Sequence, residues 1–233
     1  QVPKYDRNCL NLSKEEIDKK IVAGQKFVVR FKIPDNEIIV GQDAVYGKIS
    51  IKGQDLDDFV ILKSNKFPTY HLASVVDDHD MRISHVIRGE EWMPSLPKHI
   101  LIYEALKYAL PTFVHLPLLL NPDKSKLSKR QGDVAVEDYL KKGYLIEALL
   151  NYVALLGWNP GNNKEFFMLD DLIKEFSLEK INKAGAVFDV TKLNWFNAEY
   201  IRKIIIQNDK RFDQLISNAE SFLGKNSHQA KKV

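Results

Sequence analysis

At 233 residues, with 45% hydrophobic and 28% charged side chains, the chain has an ordinary globular composition and room for one large domain or two to three small ones. A net charge of +3 admits an anionic partner without demanding one, and the single cysteine, Cys9, excludes an intrachain disulfide and a multi-cysteine zinc site. No run approaches the roughly 20 apolar residues of a membrane span, and the polar start at Gln1 carries no signal peptide and reads as a fragment or processed product. Residues 1–26 hold one amphipathic helix, 14–22, opened by Ser13 with Glu16 three residues on, which is capping-box spacing. Residues 27–33 are β-branched and aromatic and stop at Pro34, as a strand does. Residues 37–40, a Gly41-Gln42-Asp43 turn and 44–51 spell a hairpin, and residues 58–63, a Ser64-Asn65 turn and 67–76 spell another. The first quarter is thus a small strand-rich module without a catalytic constellation.

From Tyr70 to Val76 the chain reads as an apolar strand ending in Asp77 and Asp78, and Ser84 to Ile87 as a second, running into Arg88-Gly89-Glu90-Glu91-Trp92. Two strands ending in charges suggest a parallel sheet with a polar edge. Ser95, with Pro97 in the first turn, opens a helix whose stripe is Tyr103, Leu106 and Leu110, and residues 113–120 return as a strand. Strand, helix, strand with short joins is a βαβ unit. Later helices are expected over 136–142 and 145–156, closed by Gly143 and Gly157, then over 169–176 without a good N-cap at Met168, with Ser177 and Asp189 capping two more.

Between the βαβ unit and those helices lies Lys126-Leu127-Ser128-Lys129-Arg130-Gln131-Gly132, three cations and a hydroxyl following the Asn121-Pro122-Asp123 turn. A regular crossover would set this loop at the sheet edge that carries Arg88 and Glu91, where open α/β sheets bind ligands. Lysines on flexible stems can follow a polyphosphate as its charge shifts. The six histidines show no metal-site spacing and read as isolated core or surface residues.

Five segments occur in register: Pro68-Thr69-Tyr70-His71-Leu72-Ala73, Val75-Val76-Asp77-Asp78, Val86-Ile87-Arg88-Gly89-Glu90-Glu91-Trp92, Lys126-Leu127-Ser128-Lys129-Arg130, and Glu147-Ala148-Leu149-Leu150-Asn151-Tyr152 with Leu156-Gly157-Trp158. Together they resemble glutamyl-tRNA synthetases of the bacterial type, class I aminoacyl-tRNA synthetases, from about Tyr5 to Arg202. The Lys126 loop resembles the KMSKS signature of that class. The HIGH motif that supplies half of the ATP site is absent, as is most of the anticodon-binding region. The resemblance implies an α/β fold: the second half of a Rossmann-like parallel-sheet domain, preceded by a strand-rich inserted module and followed by a helical domain. It divides the chain into the end of an acceptor-stem-binding module (1–64), the Rossmann-like half (65–120), the signature loop and helical stem-contact domain (121–205) and the start of the anticodon-binding region (206–233).

By the same resemblance, Tyr70, Ser74 and Arg88 bind glutamate, with Ser74 standing where some relatives carry asparagine. Glu91 lies near the ATP ribose, Leu119 meets the adenine through its backbone, and Lys126, Ser128 and Lys129 meet the phosphates. Lys126 and Lys129 are the catalytic pair, and no protein metal site is implied. Asp77 and Asp78 read as structural or orienting, because neighbours on a strand face opposite ways. The implied activity is that of a glutamate–tRNA ligase using ATP and Mg2+: glutamyl-adenylate forms first, and the glutamyl group then passes to the 3′ end of tRNA(Glu). The fragment alone is expected to be inactive, and the full-length enzyme is expected to be monomeric and cytoplasmic, with no membrane partner. Two other readings stay open. One is a related glutaminyl-type or tRNA-queuosine glutamylating enzyme; the other is a non-catalytic RNA-binding fragment.

Overall fold

The computed structural model describes residues 4–127, 135–206 and 216–217, within two compact units, Gln1–Leu116 and Pro117–Val233. In the first unit, helix α1 (Lys14–Val22) carries the expected capping box: Ser13 Oγ accepts from the Glu16 N–H at 3.2 Å, and the Glu16 carboxylate accepts from the Ser13 N–H at 2.8 Å. The run at 27–33 yields only a short strand, β1 (Val29–Arg30), antiparallel to β4 (Val60–Leu62). Beyond Arg30 the backbone bonds elsewhere. The Phe31 N–H donates to the Phe59 carbonyl, and the Ile33 N–H to the Asp58 carboxylate, at 2.9 Å each. Arg7 grips that carboxylate with two nitrogens, at 2.7 and 2.8 Å.

The first hairpin pairs β2 (Ile38–Asp43) with β3 (Gly47–Lys52), and its turn is Ala44-Val45-Tyr46 rather than Gly41-Gln42-Asp43. Gly41 sits inside the strand because α3 (Leu96–Leu106) presses on it: a Cβ there would lie 2.7 Å from Ile100 Cδ1. Gly47, at φ +80°, is the glycine the turn needs.

The largest departure is at 67–76, read above as a strand. Residues 70–80 form a helix, α2 (Tyr70–Asp80). Leu72, Val75 and Val76 recur at helical spacing, Val75 is wholly buried, and α2 packs against α3. Burial of this stripe outweighs the modest helix penalty of two valines.

The expected βαβ unit is present as β5 (His85–Gly89), α3 and β6 (Thr112–Leu116). β5 and β6 run parallel from His85↔Thr112 to Gly89↔Leu116, in a four-stranded sheet of order β3-β2-β6-β5. The hairpin of the first quarter therefore shares a sheet with the βαβ unit, and Asp43 at the end of β2 pairs with Phe113. The core over this sheet includes Ile39, Val75, Leu96, Ile100, Tyr103 and Phe113.

In the second unit, the apolar run at 113–120 resumes after Pro117 as β7 (Leu119–Leu120), parallel to β8 (Ala186–Val187). Helix α4 (Val136–Lys141) is followed by Gly143 at φ +88°, and α5 (Ile146–Gly157) ends at Trp158. α6 (Leu169–Glu175) starts at Met168, whose N–H donates to the Asp171 carboxylate at 3.4 Å. Ser177 precedes only a short 3-10 turn and makes no side-chain cap. Asp189 does cap α7 (Val190–Ile206), accepting from the Thr191 N–H at 2.8 Å. α5 and α7 share a core of Ala148, Leu149, Tyr152, Leu193, Phe196 and Tyr200. Among the described residues, no helix is long and apolar enough to cross a membrane.

Candidate active site

In the first unit, α2, β5 and α3 bring together three of the residues singled out in the sequence. Tyr70 opens α2, half exposed, with its ring 5.0 Å from that of Trp92. Ser74 follows one turn later on the same face, and Asp78 one turn after that. The Ser74 hydroxyl lies 3.5 Å from the Asp78 carboxylate, and burial pushes the Asp78 carboxyl above its ordinary value. Asp77 and Asp78 lie on a helix and not on the expected strand, and the helical spacing puts Asp78 with Ser74 and leaves Asp77 exposed.

Arg88 rises from β5 into a shell of histidines. Its Nε–H donates to His115 Nε2 at 3.0 Å, and its Nη1 lies 3.3 Å from His99 Nδ1. Arginine can only donate, so both ring nitrogens must be unprotonated acceptors. His99 Nε2 then carries its proton and donates to His71 Nδ1 at 3.1 Å. His115 Nδ1 carries its proton and donates to Asp43 Oδ2 at 2.7 Å. Burial, reinforced by the Arg88 charge, pushes His99 down to about 3, so it stays neutral. Burial, then Lys98 and Arg88, lower His71 as well.

The third guanidinium nitrogen, Nη2 of Arg88, is buried without a hydrogen-bond partner. A charged donor left in that state is costly, and it leaves the fork one acceptor short. The arrangement is a cationic fork held on two sides by neutral acceptors, with its third nitrogen buried and unpaired and Tyr70 beside it. It suits recognition of a carboxylate.

Glu91 is exposed at the start of the 3-10 segment Glu90–Ser95, and its carboxylate folds over Gly89, where a Cβ would lie 2.1 Å from Oε2. Glu90 accepts a hydrogen bond from the Tyr46 hydroxyl.

Leu119 and Lys126 belong to the second unit. The Leu119 carbonyl accepts from the Leu127 N–H at 2.9 Å, and Leu120 bridges Lys126. The turn between them is pinned: the Asn121 N–H donates to the Ser125 carbonyl at 2.8 Å, the Asn121 amide to Ser125 Oγ at 2.9 Å, and the Ser125 N–H to Asp123 at 2.9 Å. Ser128 and Lys129 lie outside the described residues.

Sequence reading missed Asp43, His99 and His115, taking the histidines as isolated. The available signal was a polar residue inside an apolar run, His115 in 113–120 and His99 among the apolar residues of α3. Both are essentially inaccessible to solvent, as is Asp43. Among the described residues, no group of three or more His, Cys, Asp or Glu side chains is placed to hold a metal ion.

Comparison with known proteins gives the family of the chain. The family of tRNA synthetases class I (E and Q), catalytic domain, matches residues 1–195. The glutamate–tRNA ligase of Alkaliphilus metalliredigens is 54% identical over 203 residues, 87% of this chain and 41% of that protein. That of Clostridioides difficile is 55% identical over 202 residues, with the same two coverages, 87% and 41%. The crystal structure of the glutamate-tRNA synthetase from Elizabethkingia anophelis superposes with a TM-score of 0.85 at 38% identity, over 96% of this chain and 49% of that one. A glutamate tRNA ligase from Elizabethkingia meningosepticum, solved in complex with its amino acid, gives 0.84 at 39% identity, over 96% and 48%. The chain thus spans about two fifths of the length of these curated relatives. With a family match over residues 1–195, which covers both the βαβ unit and most of the helical unit, the chain belongs to the class I tRNA synthetases (E and Q).

Proposed function

We propose that the chain carries the glutamate-selecting part of a glutamate–tRNA ligase, an enzyme that activates L-glutamate with ATP and transfers it to the 3′ end of tRNA(Glu). The observation that carries this reading is the buried, unpartnered Nη2 of Arg88. Glutamate supplies a carboxylate to complete the fork, and Tyr70 and Ser74 add hydroxyl donors on its flank. Support from the relatives is direct in name: the curated proteins about 54% identical to it are glutamate–tRNA ligases.

In this reading Glu91 serves the ATP ribose, the Leu119 backbone the adenine, and Lys126, Ser128 and Lys129 the phosphates. Catalysis is positioning plus charge stabilisation, and no nucleophilic side chain is required. The lysines offset charge growing on the leaving pyrophosphate, and Mg2+ comes with the nucleotide phosphates. We assign residues 1–64 to the end of an acceptor-stem-binding module, 121–205 to the signature loop and a helical stem-contact domain, and 206–233 to the start of the anticodon-binding region. A monomeric, cytoplasmic whole enzyme fits the same reading.

The test is Arg88→Ala in the complete gene product that contains this chain. The glutamate KM in ATP–pyrophosphate exchange should rise about tenfold to over a hundredfold, the worth of one charge-assisted bond of roughly 1.5–3 kcal/mol, with the ATP KM nearly unchanged. Normal glutamate kinetics would remove Arg88 from the site.

A further inference from the structure

Asp43 accepts four hydrogen bonds. Oδ1 takes the Val45 and Tyr46 N–H groups at 2.9 Å each; Oδ2 takes the His115 N–H at 3.0 Å and His115 Nδ1–H at 2.7 Å. No part of Asp43 or His115 is accessible to solvent. The carboxylate therefore faces donors on every side, and it dictates which His115 nitrogen holds the proton. With Nδ1–H committed to Asp43, Nε2 must present its lone pair to Arg88 Nε–H, 3.0 Å away.

We propose that Asp43 and His115 are positioning residues for substrate selection: Asp43 locks the His115 tautomer, and His115 then aims the Arg88 fork while leaving its charge unspent. The relay rests on the proposed reading of Arg88 as the carboxylate receptor, and it explains a feature that reading alone does not. An arginine can be held most simply by a carboxylate, but an internal anion in direct contact would compete with the substrate for the same charge. Here both anchors, His115 and His99, are neutral acceptors. The anion is set one imidazole further back, where it orients without pairing. Metal sites use the same device when a carboxylate behind a histidine fixes the ring that meets the ion.

The inference separates variants that a purely structural role would not. His115→Gln places an amide oxygen near the position of Nε2, so it keeps an acceptor for Arg88 and loses the side-chain contact with Asp43. His115→Asn places its amide near Nδ1, so it keeps the Asp43 contact and leaves Arg88 Nε without an acceptor. Asp43→Asn sets an amide donor among four donors, which favours the His115 tautomer that points Nε2–H at the guanidinium.

In the complete gene product, His115→Asn and Asp43→Asn should raise the glutamate KM by about tenfold to a hundredfold, in line with losing such an outer partner, with kcat and the ATP KM little changed. His115→Gln should retain most of the affinity. In an Arg88→Ala background, Asp43→Asn should add nothing further to the glutamate KM. Nitrogen-15 NMR of the unsubstituted protein, which depends on no variant folding, should show His115 protonated at Nδ1. Protonation at Nε2, or His115→Gln and His115→Asn losing affinity equally, would overturn the relay. If the unsubstituted enzyme exchanges pyrophosphate without any requirement for glutamate, the substrate reading itself falls and takes the relay with it. If exchange needs glutamate but Asp43→Asn leaves its KM untouched, the relay alone falls.

Discussion

The Tyr200 hydroxyl lies 2.6 Å from Asn151 Oδ1 and 2.8 Å from the Phe167 carbonyl, so one proton serves two acceptors inside the α5–α7 core. Asn151 also accepts from the Phe167 N–H at 2.8 Å and donates to the Glu165 carbonyl at 2.9 Å. Tyr200→Phe removes a single donor and should lower unfolding stability by about 1 kcal/mol. Asn151→Ala leaves the Phe167 N–H and the Glu165 carbonyl unsatisfied together and should cost roughly 2–4 kcal/mol. Urea titration of both variants checks the order; equal losses would show that Asn151 is not the hub.

A glycine comparison tests the base of the first hairpin. A Cβ on Gly53 would lie 1.9 Å from the Pro34 carbonyl oxygen, a backbone atom that cannot turn aside. Gly157, at the end of α5, has nothing within 4 Å of the same position. Gly53→Ala should destabilise by about 3 kcal/mol or more, whereas Gly157→Ala should be neutral or stabilising by up to about 1 kcal/mol. Thermal melts of the two variants should move in different directions or differ by many degrees.

The buried histidines set an acid limit. His99 is held down at about 3, and His71 is lowered too, while the unfolded chain takes up those protons near pH 6.5. Between those values the unfolded state binds more protons, so stability falls as pH falls, by up to about 1.4 kcal/mol per pH unit for His99 alone. The buried carboxylate of Asp58, lowered by the Arg7 fork against the opposing push of burial, adds to the same trend only below about pH 4. Denaturant titrations at pH 7, 6 and 5 should therefore already slope. A flat profile across that window would mean that His99 is charged in the folded protein.

Arg88→Lys should raise the glutamate KM nearly as far as Arg88→Ala. His115 and His99 engage two different nitrogens of the planar fork, and a lysine ammonium cannot reproduce that spacing while facing a carboxylate. Steady-state exchange kinetics with Arg88→Lys decide it; a near-normal KM would show that charge suffices.

Lys129→Ala should slow single-turnover adenylate formation by about 10²–10³-fold, with little effect on the ATP KM, if the side chain meets the phosphates as pyrophosphate leaves. Lys126→Ala should be milder, because Lys126 sits at the pinned root of the loop, bridged to Leu120. A rise in the ATP KM alone would make the loop a ground-state clamp.

The βαβ unit was legible because its strands are apolar runs and its helix has Pro97 in the first turn, both local signals, although Ser95 makes no side-chain cap there. α2 was not: two adjacent valines mimic a strand, and only packing on α3 reveals the 3.6 period. Gly41 misled in the other direction, since a glycine required by a helix pressing on the strand looks the same in sequence as a turn glycine. Tyr70, Ser74 and Arg88 were singled out through a family pattern. Their support was not, because Asp43 and His115 are 72 positions apart and their contact exists only once β2 and β6 pair.

The contact between α3 and Gly41 has a consequence for evolution and engineering alike. Ile100 and Leu96 rest on bare backbone of the strand that ends in Asp43, and His99 is the neighbour of Ile100. The two anchors of Arg88 are thus bolted to one another through a spot with no side chain. A single methyl group added there meets the ends of the Ile100 and Leu96 side chains at 2.7 and 3.1 Å, so either those ends turn aside or α3 lifts from the strand, and a lift of α3 carries His99 with it. On the proposed reading of Arg88, screens for altered amino-acid preference should therefore recover position 41.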